Sequence, residues 1–332
     1  MIISKTPFRI SFFGGGTDYP VWYEENGGAV LSTTIDKYCY INVRYLPPFF
    51  EHKHRIVYSR IENVKKIKDI RHPVVKALLE RFKIEEGVEI HHDGDLPARS
   101  GLGSSSAFTV GMLNSLHALQ GRIVSKADLA KQAIQIERNV LKETVGSQDQ
   151  VAVAHGGFNK IIFYNDHNFR VEPITLQKQK INQLQSHLML VFTGFSRFAS
   201  RVAAEQVKNS PKRKKELSVM HQMVNHAVDI INSNRDIIEF GNLLNETWTL
   251  KKRLSRKISN PEIENIYDRA LRCGAIGGKL LGAGAGGFML LFVRPENRQK
   301  LKEGLKGLLE VKFLFENEGA QIIYYNPQEI VS

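Results

Sequence analysis

The stretch Leu96-Pro97-Ala98-Arg99-Ser100-Gly101-Leu102-Gly103-Ser104-Ser105-Ser106-Ala107 constrains this chain more than any other. Two glycines free the backbone, three hydroxyls follow, and an apolar series at helical spacing then runs from Phe108 to Leu116, so the segment reads as a loop entering the N-terminus of a buried helix. Such an end collects anions: its first amides have no intrahelical partners, and the helix dipole adds partial positive charge. The dipole contributes only about 0.3–1 kcal/mol, rising to about 2 kcal/mol when partly buried, so holding a polyphosphate also requires cations. The same run fits a plain turn and N-cap. It is not a Walker loop, because no lysine follows the glycines, and the protein-kinase catalytic and metal-loop signatures are missing.

With 332 residues the chain is long enough for one large or two medium domains. No apolar run approaches the roughly 20 residues of a membrane span, and Met1 to Pro7 does not read as a signal peptide, so the expected location is the cytoplasm. Cys39 and Cys273 are too few and too distant for a disulfide scaffold or zinc site and read as core thiols. The net charge of +12 raises the question of nucleic acid, an anionic membrane surface or a phosphorylated substrate. Basic residues are dispersed among acids, except for Lys212-Arg213-Lys214-Lys215, which reads as a solvated face, and no aromatic-basic ladder occurs. The expected partners are therefore small molecules, with no nucleic acid and no membrane. The histidines form no metal-binding constellation, and the sequence leaves oligomeric state, including a homodimer, open.

Strands come early and helices cluster late, which favours α+β over a doubly wound sheet. Strands are expected over Ile2–Phe13, over 30–35 and 38–44 with Asp36-Lys37 as a hairpin turn, and over 54–59 and 88–92; the helices expected first are 73–82, 104–119, 125–141 and 147–154. The polar run Gln177–Gln183 is the candidate boundary between parts 1–180 and 181–332. The second part has strands at 187–193 and 287–293, helices from Ser196, across 214–256, over 261–273 and over 295–309, and closing strands near 313–315 and 322–325.

Two further segments carry chemistry. Pro7-Phe8-Arg9-Ile10-Ser11-Phe12-Phe13-Gly14-Gly15-Gly16-Thr17-Asp18-Tyr19 places an arginine on a strand and an aspartate behind three glycines, where a backbone can approach a small ligand, although Asp18 also suits an N-cap for a helix beginning at Pro20. Gly277-Gly278-Lys279-Leu280-Leu281-Gly282-Ala283-Gly284-Ala285-Gly286-Gly287 satisfies a dinucleotide fingerprint in letters, but the apolar β run Phe288–Val293 follows it where that fingerprint requires a helix. Near the first loop, Glu137 lies within a helical pattern, and Asp149 stands among Gly146, Ser147, Gln148 and small apolar residues, an odd setting for a merely solubilising acid.

The run from Pro97 to Ser105 resembles, nearly letter for letter, the Pro-x-x-x-Gly-Leu-Gly-Ser-Ser motif of the GHMP kinases, and the segments around Arg9 and Gly282 resemble that family's first and third motifs in the expected order. Arg9, Thr17, Asp18 and Tyr19 match the sugar-binding motif of galactokinases, but Gly15-Gly16 replaces their Glu-His pair; Gly-Gly-Gly-Thr-Asp-Tyr is closer to heptose 7-phosphate kinases and fucokinases. The resemblance implies an α+β two-domain fold, a ribosomal-protein-S5-domain-2-like part followed by a ferredoxin-like part, with the active site between them. It implies ATP on Pro97, Ser100, Gly101, Leu102, Gly103, Ser104, Ser105 and Ser106, magnesium on Ser105 and Glu137, and Asp149 as catalytic acid-base paired with Arg9. A phosphosugar would meet Gly15, Gly16, Thr17, Asp18, Gly282 and Gly284. Arg197 and Arg201, at an expected helix start, are candidates for its phosphate, equally well read as ordinary helix surface. The expected activity is ATP-dependent phosphorylation of the anomeric hydroxyl of D-glycero-D-manno-heptose 7-phosphate. A fucokinase or other sugar 1-kinase, a non-catalytic descendant and a nucleic-acid-binding protein are the alternatives.

Overall fold

The computed structural model describes residues 1–195 and 199–327. The chain opens with β1 (Ile2–Phe13), α1 (Pro20–Asn26) and β2 (Gly28–Tyr45), followed by the short strands β3 (His54–Val57) and β4 (Ile61–Val64). Next come α2 (Pro73–Arg81), β5 (Val88–Gly94), α3 (Ser104–Leu119), α4 (Lys126–Gln135), a π-helical turn over Ile136–Val140, and α5 (Gln148–His155). Strands β6 (Phe158–Phe163) and β7 (Phe169–Pro173) lead to α6 (Lys178–His187) and β8 (Leu188–Phe192). The helices α7 (Ala199–Asn209), α8 (Lys214–Asn232), α9 (Ile238–Leu254) and α10 (Pro261–Arg272) then precede β9 (Ala275–Leu280), β10 (Phe288–Val293), α11 (Arg298–Gly304), β11 (Leu309–Val311), β12 (Phe315–Glu316) and β13 (Gln321–Tyr325).

Among the described residues the strands form a nine-stranded sheet with the path β13-β1-β2-β5-β3-β4 and a four-stranded sheet in the order β11-β8-β10-β9. The class is α+β, as the early strands and late helices imply. The long antiparallel pair β1–β2 is the axis of the first sheet, and α3, ten of whose residues are buried, packs on both strands. Because α3 is apolar nearly all round, it is a core helix whose only polar end is its N-terminus. The Ser125 side chain caps α4 by accepting from the Asp128 amide. Among the described residues no helix is long and apolar enough to cross a membrane.

Three sequence expectations change. Asp36-Lys37 is not a hairpin turn: β2 is continuous, and its register slips opposite Pro7 and Phe8, where the Asp36 carboxylate accepts from the Leu314 amide, so the two charged residues form a bulge. The polar run at 177–183, the candidate boundary, is mostly the start of α6, with Leu184 buried beneath it. Strands β12 and β13, beyond residue 181, pair with β2 and β1, so the C-terminal end returns to the sheet built by the N-terminal part. Of the two cysteines, Cys39 is buried and Cys273 only partly so.

Helix α9 joins the two sheets. Its Phe240 meets Phe12 and Phe13 of β1 edge-on, at centroid distances of 5.5 and 5.0 Å, and Phe292 of β10 at 6.1 Å. Lys279 of β9 donates to the carbonyls of Ser11 and Phe12, 2.9 Å from each. Phe240→Ala is expected to cost about 3–5 kcal/mol of stability in urea unfolding, as for other large-to-small changes at buried aromatics; a loss under 1 kcal/mol would show that α9 does not bear this junction.

Candidate active site

Strand β1 carries Arg9 into the middle of the protein, where only 2% of it is exposed. A buried guanidinium needs anionic or carbonyl partners. It has them: Nε donates to Asp149 Oδ1 at 2.8 Å, Nη2 lies 2.7 Å from the same oxygen, and Nη1 donates to the Gly101 carbonyl at 2.7 Å. The Arg9 amide also donates to the Leu102 carbonyl at 2.9 Å. One residue thus ties β1 to the loop before α3 and to the first turn of α5.

The glycine-rich loop at 282–287 is pressed onto the loop before α3. A methyl group on Gly101 would lie 2.5 Å from the Leu281 carbonyl oxygen, and one on Gly282 would lie 2.5 Å from the Gly101 Cα, so only hydrogen fits at either position. The Phe288 amide donates to the Ser100 carbonyl at 3.1 Å, extending the contact to the base of β10. The three glycine-bearing segments therefore meet around one cavity of about 620 Å³.

Gly101, Gly103, Ser104, Ser105 and Ser106 line this cavity, as do Arg9, Asp149, Gly15, Gly16, Asp18, Glu137 and Gly282. Other expected site residues do not. Leu102 is buried in the core, and Pro97 and Ser100 lie outside the cavity lining. The Thr17 hydroxyl is used within the fold, donating to the carbonyls of Gly14 and Ala29, each at 2.8 Å. Gly284 packs on Ile258, whose carbonyl oxygen a methyl there would meet at 2.7 Å. Arg197 lies outside the described residues, and so does the side chain of Arg201.

Asp18 does not cap α1, whose N-cap is Tyr19. Its Oδ1 accepts from the Gly16 amide at 2.9 Å and its Oδ2 from the Gln148 amide at 3.4 Å, which places a buried carboxyl between the β1 loop and α5. Burial pushes its pKa up; the two amides oppose that shift, and the charge of Asp149 adds to it.

Glu137 sits in the π-helical turn and is buried. Such turns are frequent at functional sites. Its Oε2 accepts from Ser106 Oγ at 3.1 Å and from the Gln150 amide nitrogen, while Oε1 has no protein partner. Burial is the main cause that pushes this carboxyl up to about 7, against the hydrogen bonds from Gln150 and Ser106 that favour its ionised form. The serine bonded to Glu137 is Ser106, whereas Ser105 is exposed on the cavity wall. Among the described residues no three His, Cys, Asp or Glu side chains cluster to hold a metal. A hard divalent cation still fits here, because a buried carboxylate with one unpaired oxygen beside serine hydroxyls supplies two oxygen ligands and leaves the rest to phosphates and water.

Three cations in this region carry no assigned role in the sequence analysis, although Lys279 belongs to the third glycine-rich motif. Arg138, next to Glu137, donates to the Val145 carbonyl at 3.1 Å, Tyr23 Oη at 3.0 Å and Ser147 Oγ at 2.6 Å, and so fixes the loop leading into Asp149. Lys251 of α9, 5% exposed, donates to the carbonyls of Leu280 and Gly282, and Lys279 binds the end of β1 as described above. Burial pushes Lys251 down to about 8, assisted by the charge of Arg9 and opposed by Asp18 and Asp149; Lys279 is also lowered well below the usual lysine value, by burial first and then by Lys251.

Two family models match the chain, "GHMP kinases N terminal domain" over residues 65–157 and "GHMP kinases C terminal" over residues 227–310. The D-glycero-alpha-D-manno-heptose 7-phosphate kinase of Campylobacter jejuni is 30% identical, the alignment covering 96% of this chain and 98% of that protein. A galactokinase of Pyrococcus furiosus is 26% identical, with 92% of each chain covered. Among solved structures, a D-glycero-D-manno-heptose 1-phosphate kinase from Bacteroides thetaiotaomicron has the same fold, with a TM-score of 0.79, 23% identity and 100% of both chains covered.

The buried lysine yields a pH prediction. Lys251 falls from 10.5 to about 8 on folding, so between those values the unfolded chain binds a proton that the native chain does not, and stability rises with pH. Below pH 8 both states are protonated and the burial cost is present in full. Relative to Lys251→Met, the wild type is expected to gain about 2 kcal/mol in urea unfolding between pH 7 and pH 9.5. Parallel pH profiles for the two proteins would contradict the assignment.

Proposed function

The chain belongs to the GHMP kinase family, and on that premise we propose that it transfers the γ-phosphoryl group of ATP to the anomeric hydroxyl of D-glycero-D-manno-heptose 7-phosphate, giving the 1,7-bisphosphate and ADP. The observation that carries the reading is the Arg9–Asp149 pair at the rim of a glycine-rich helix N-terminus: Arg9 holds Asp149 Oδ1, and both residues line the cavity. The 30% identity to the Campylobacter jejuni heptose 7-phosphate kinase supports the choice of sugar.

In this reading the triphosphate lies against the amides of Ser104, Ser105 and Ser106 at the start of α3, where unpaired N–H groups and the dipole favour negative charge. Asp149 takes the proton of the anomeric hydroxyl as that oxygen bonds to the γ-phosphorus; the bond from phosphorus to the β–γ bridging oxygen breaks, ADP leaves with that electron pair, and Asp149 returns its proton to solvent. Arg9, on the cavity wall beside Asp149, stabilises charge on the transferring group, and Asp18 orients the sugar. Glu137, with Ser105 or Ser106, would hold magnesium, which when bound neutralises phosphate charge. A cation there also resolves the cost of burying Glu137, whose carboxylate otherwise carries a proton up to about pH 7.

Heptose 7-phosphate, fucose, galactose and mannose, each with ATP and magnesium, are to be compared by ADP release and by phosphorus NMR of the product. The highest kcat/KM is expected for heptose 7-phosphate, with a new anomeric phosphate; preference for fucose would replace the sugar while keeping the chemistry. Asp149→Asn is expected to lower kcat by about a hundred- to ten-thousand-fold with little change in ATP affinity. Unchanged turnover would remove Asp149 from the reaction. Glu137→Gln is expected to raise the magnesium concentration giving half-maximal activity by at least tenfold, and an unaltered requirement would place the cation elsewhere.

A further inference from the structure

Two polar groups in the cavity have no role in the chemistry above. Ser11 is 4% exposed, and its hydroxyl has no partner in the protein; the side-chain oxygen of Gln148 is likewise buried and unpartnered. An unpaired buried group of this kind costs about 1–3 kcal/mol, and a ligand hydroxyl is one way to complete it. Both residues line the same cavity, and both converge on one spot. A methyl group placed on Gly15 would lie 3.8 Å from Ser11 Oγ and 3.8 Å from Gln148 Nε2, so the two side chains flank the space over Gly15.

Their backbones are held by charged groups that leave the side chains uncommitted. The Ser11 carbonyl accepts from Lys279 Nζ at 2.9 Å, and the Gln148 amide donates to Asp18 Oδ2 at 3.4 Å. Neither side chain carries charge, and together they offer a hydroxyl that donates and accepts, an amide N–H donor and a carbonyl acceptor. That set matches a hydroxyl group or a vicinal diol rather than a phosphate, which would call for cations.

We propose that Ser11 and Gln148 form a specificity subsite over Gly15 that binds a hydroxyl of the sugar substrate. This deepens the kinase reading and rests on it. The subsite selects among polyols, so its loss raises KM for the sugar and leaves nucleotide binding alone.

Two variants test it. Ser11→Ala removes a hydroxyl that the fold does not use, so its melting temperature is expected to equal or exceed that of the wild type, while the sugar KM rises about tenfold, the equivalent of one hydrogen bond. Gly15→Ala is compatible with the fold, because Gly15 lies outside the left-handed region and the added methyl would make only ordinary contacts, yet it fills the proposed space. Its sugar KM is expected to rise at least tenfold with the KM for ATP unchanged. A series of monodeoxy sugars identifies the hydroxyl: the analogue lacking it is turned over equally by wild type and Ser11→Ala. If the wild type turns over a sugar and neither variant changes its KM, the subsite is wrong while the kinase reading stands. A large drop in the melting temperature of Ser11→Ala would make Ser11 structural and overturn the proposal as well. If the wild type turns over no sugar, both fall together.

Discussion

A guanidinium enclosed by protein is tolerated only beside anionic or carbonyl partners, and the architecture around the cavity follows from supplying those of Arg9. Its partners come from α5 and from the loop before α3, segments separated from it by 140 and 92 residues. No local structure could bring these together. They are held by β1 and β2 pairing beneath α3, by α5 packing against both, and by the loop at 282–287 closing over Gly101 without side chains in the way. Removing Asp149 would leave an uncompensated buried charge, which is why the pair specifies an arrangement more than it adds stability.

The same cavity gathers charge of both signs. Arg9, Lys251 and Lys279 stand against Asp18, Asp149 and Glu137, and burial favours the neutral form of both Asp18 and Glu137. The lysines, pushed down by burial and by the charge of Arg9, gain most from an anion brought close to them. A polyanionic ligand and a cation at Glu137 would thus relieve strain that folding imposes, which accounts for a site expensive to build and favourable to fill.

Much of this was legible in the sequence. The α3 helix was visible from Ser104 to Leu119 because glycine and serine precede an uninterrupted apolar series, and the motif around it pointed to the family and to Arg9, Glu137 and Asp149. The reading was weaker wherever tertiary contact decides. Asp36-Lys37 looks like a turn, yet the partner strand accommodates it as a bulge. Thr17 and Gly284 match motif positions, but their neighbours in space turn them inward. Lys251 and Arg138 lie in ordinary-looking helices, and only the elements opposite them make them part of the site. The signal for Arg138 was its place beside Glu137; Lys251 carried none, since a helical lysine is ordinarily solvated.

The central claim is that three distant glycine-bearing segments make one phosphoryl-transfer site at the start of α3. A crystal structure with a non-hydrolysable ATP analogue and magnesium tests it most directly. The account predicts phosphates on the amides of residues 104–106, the cation on Glu137 and the terminal phosphorus facing Asp149. Nucleotide bound away from Ser105, or a terminal phosphate out of reach of both Arg9 and Asp149, would contradict it.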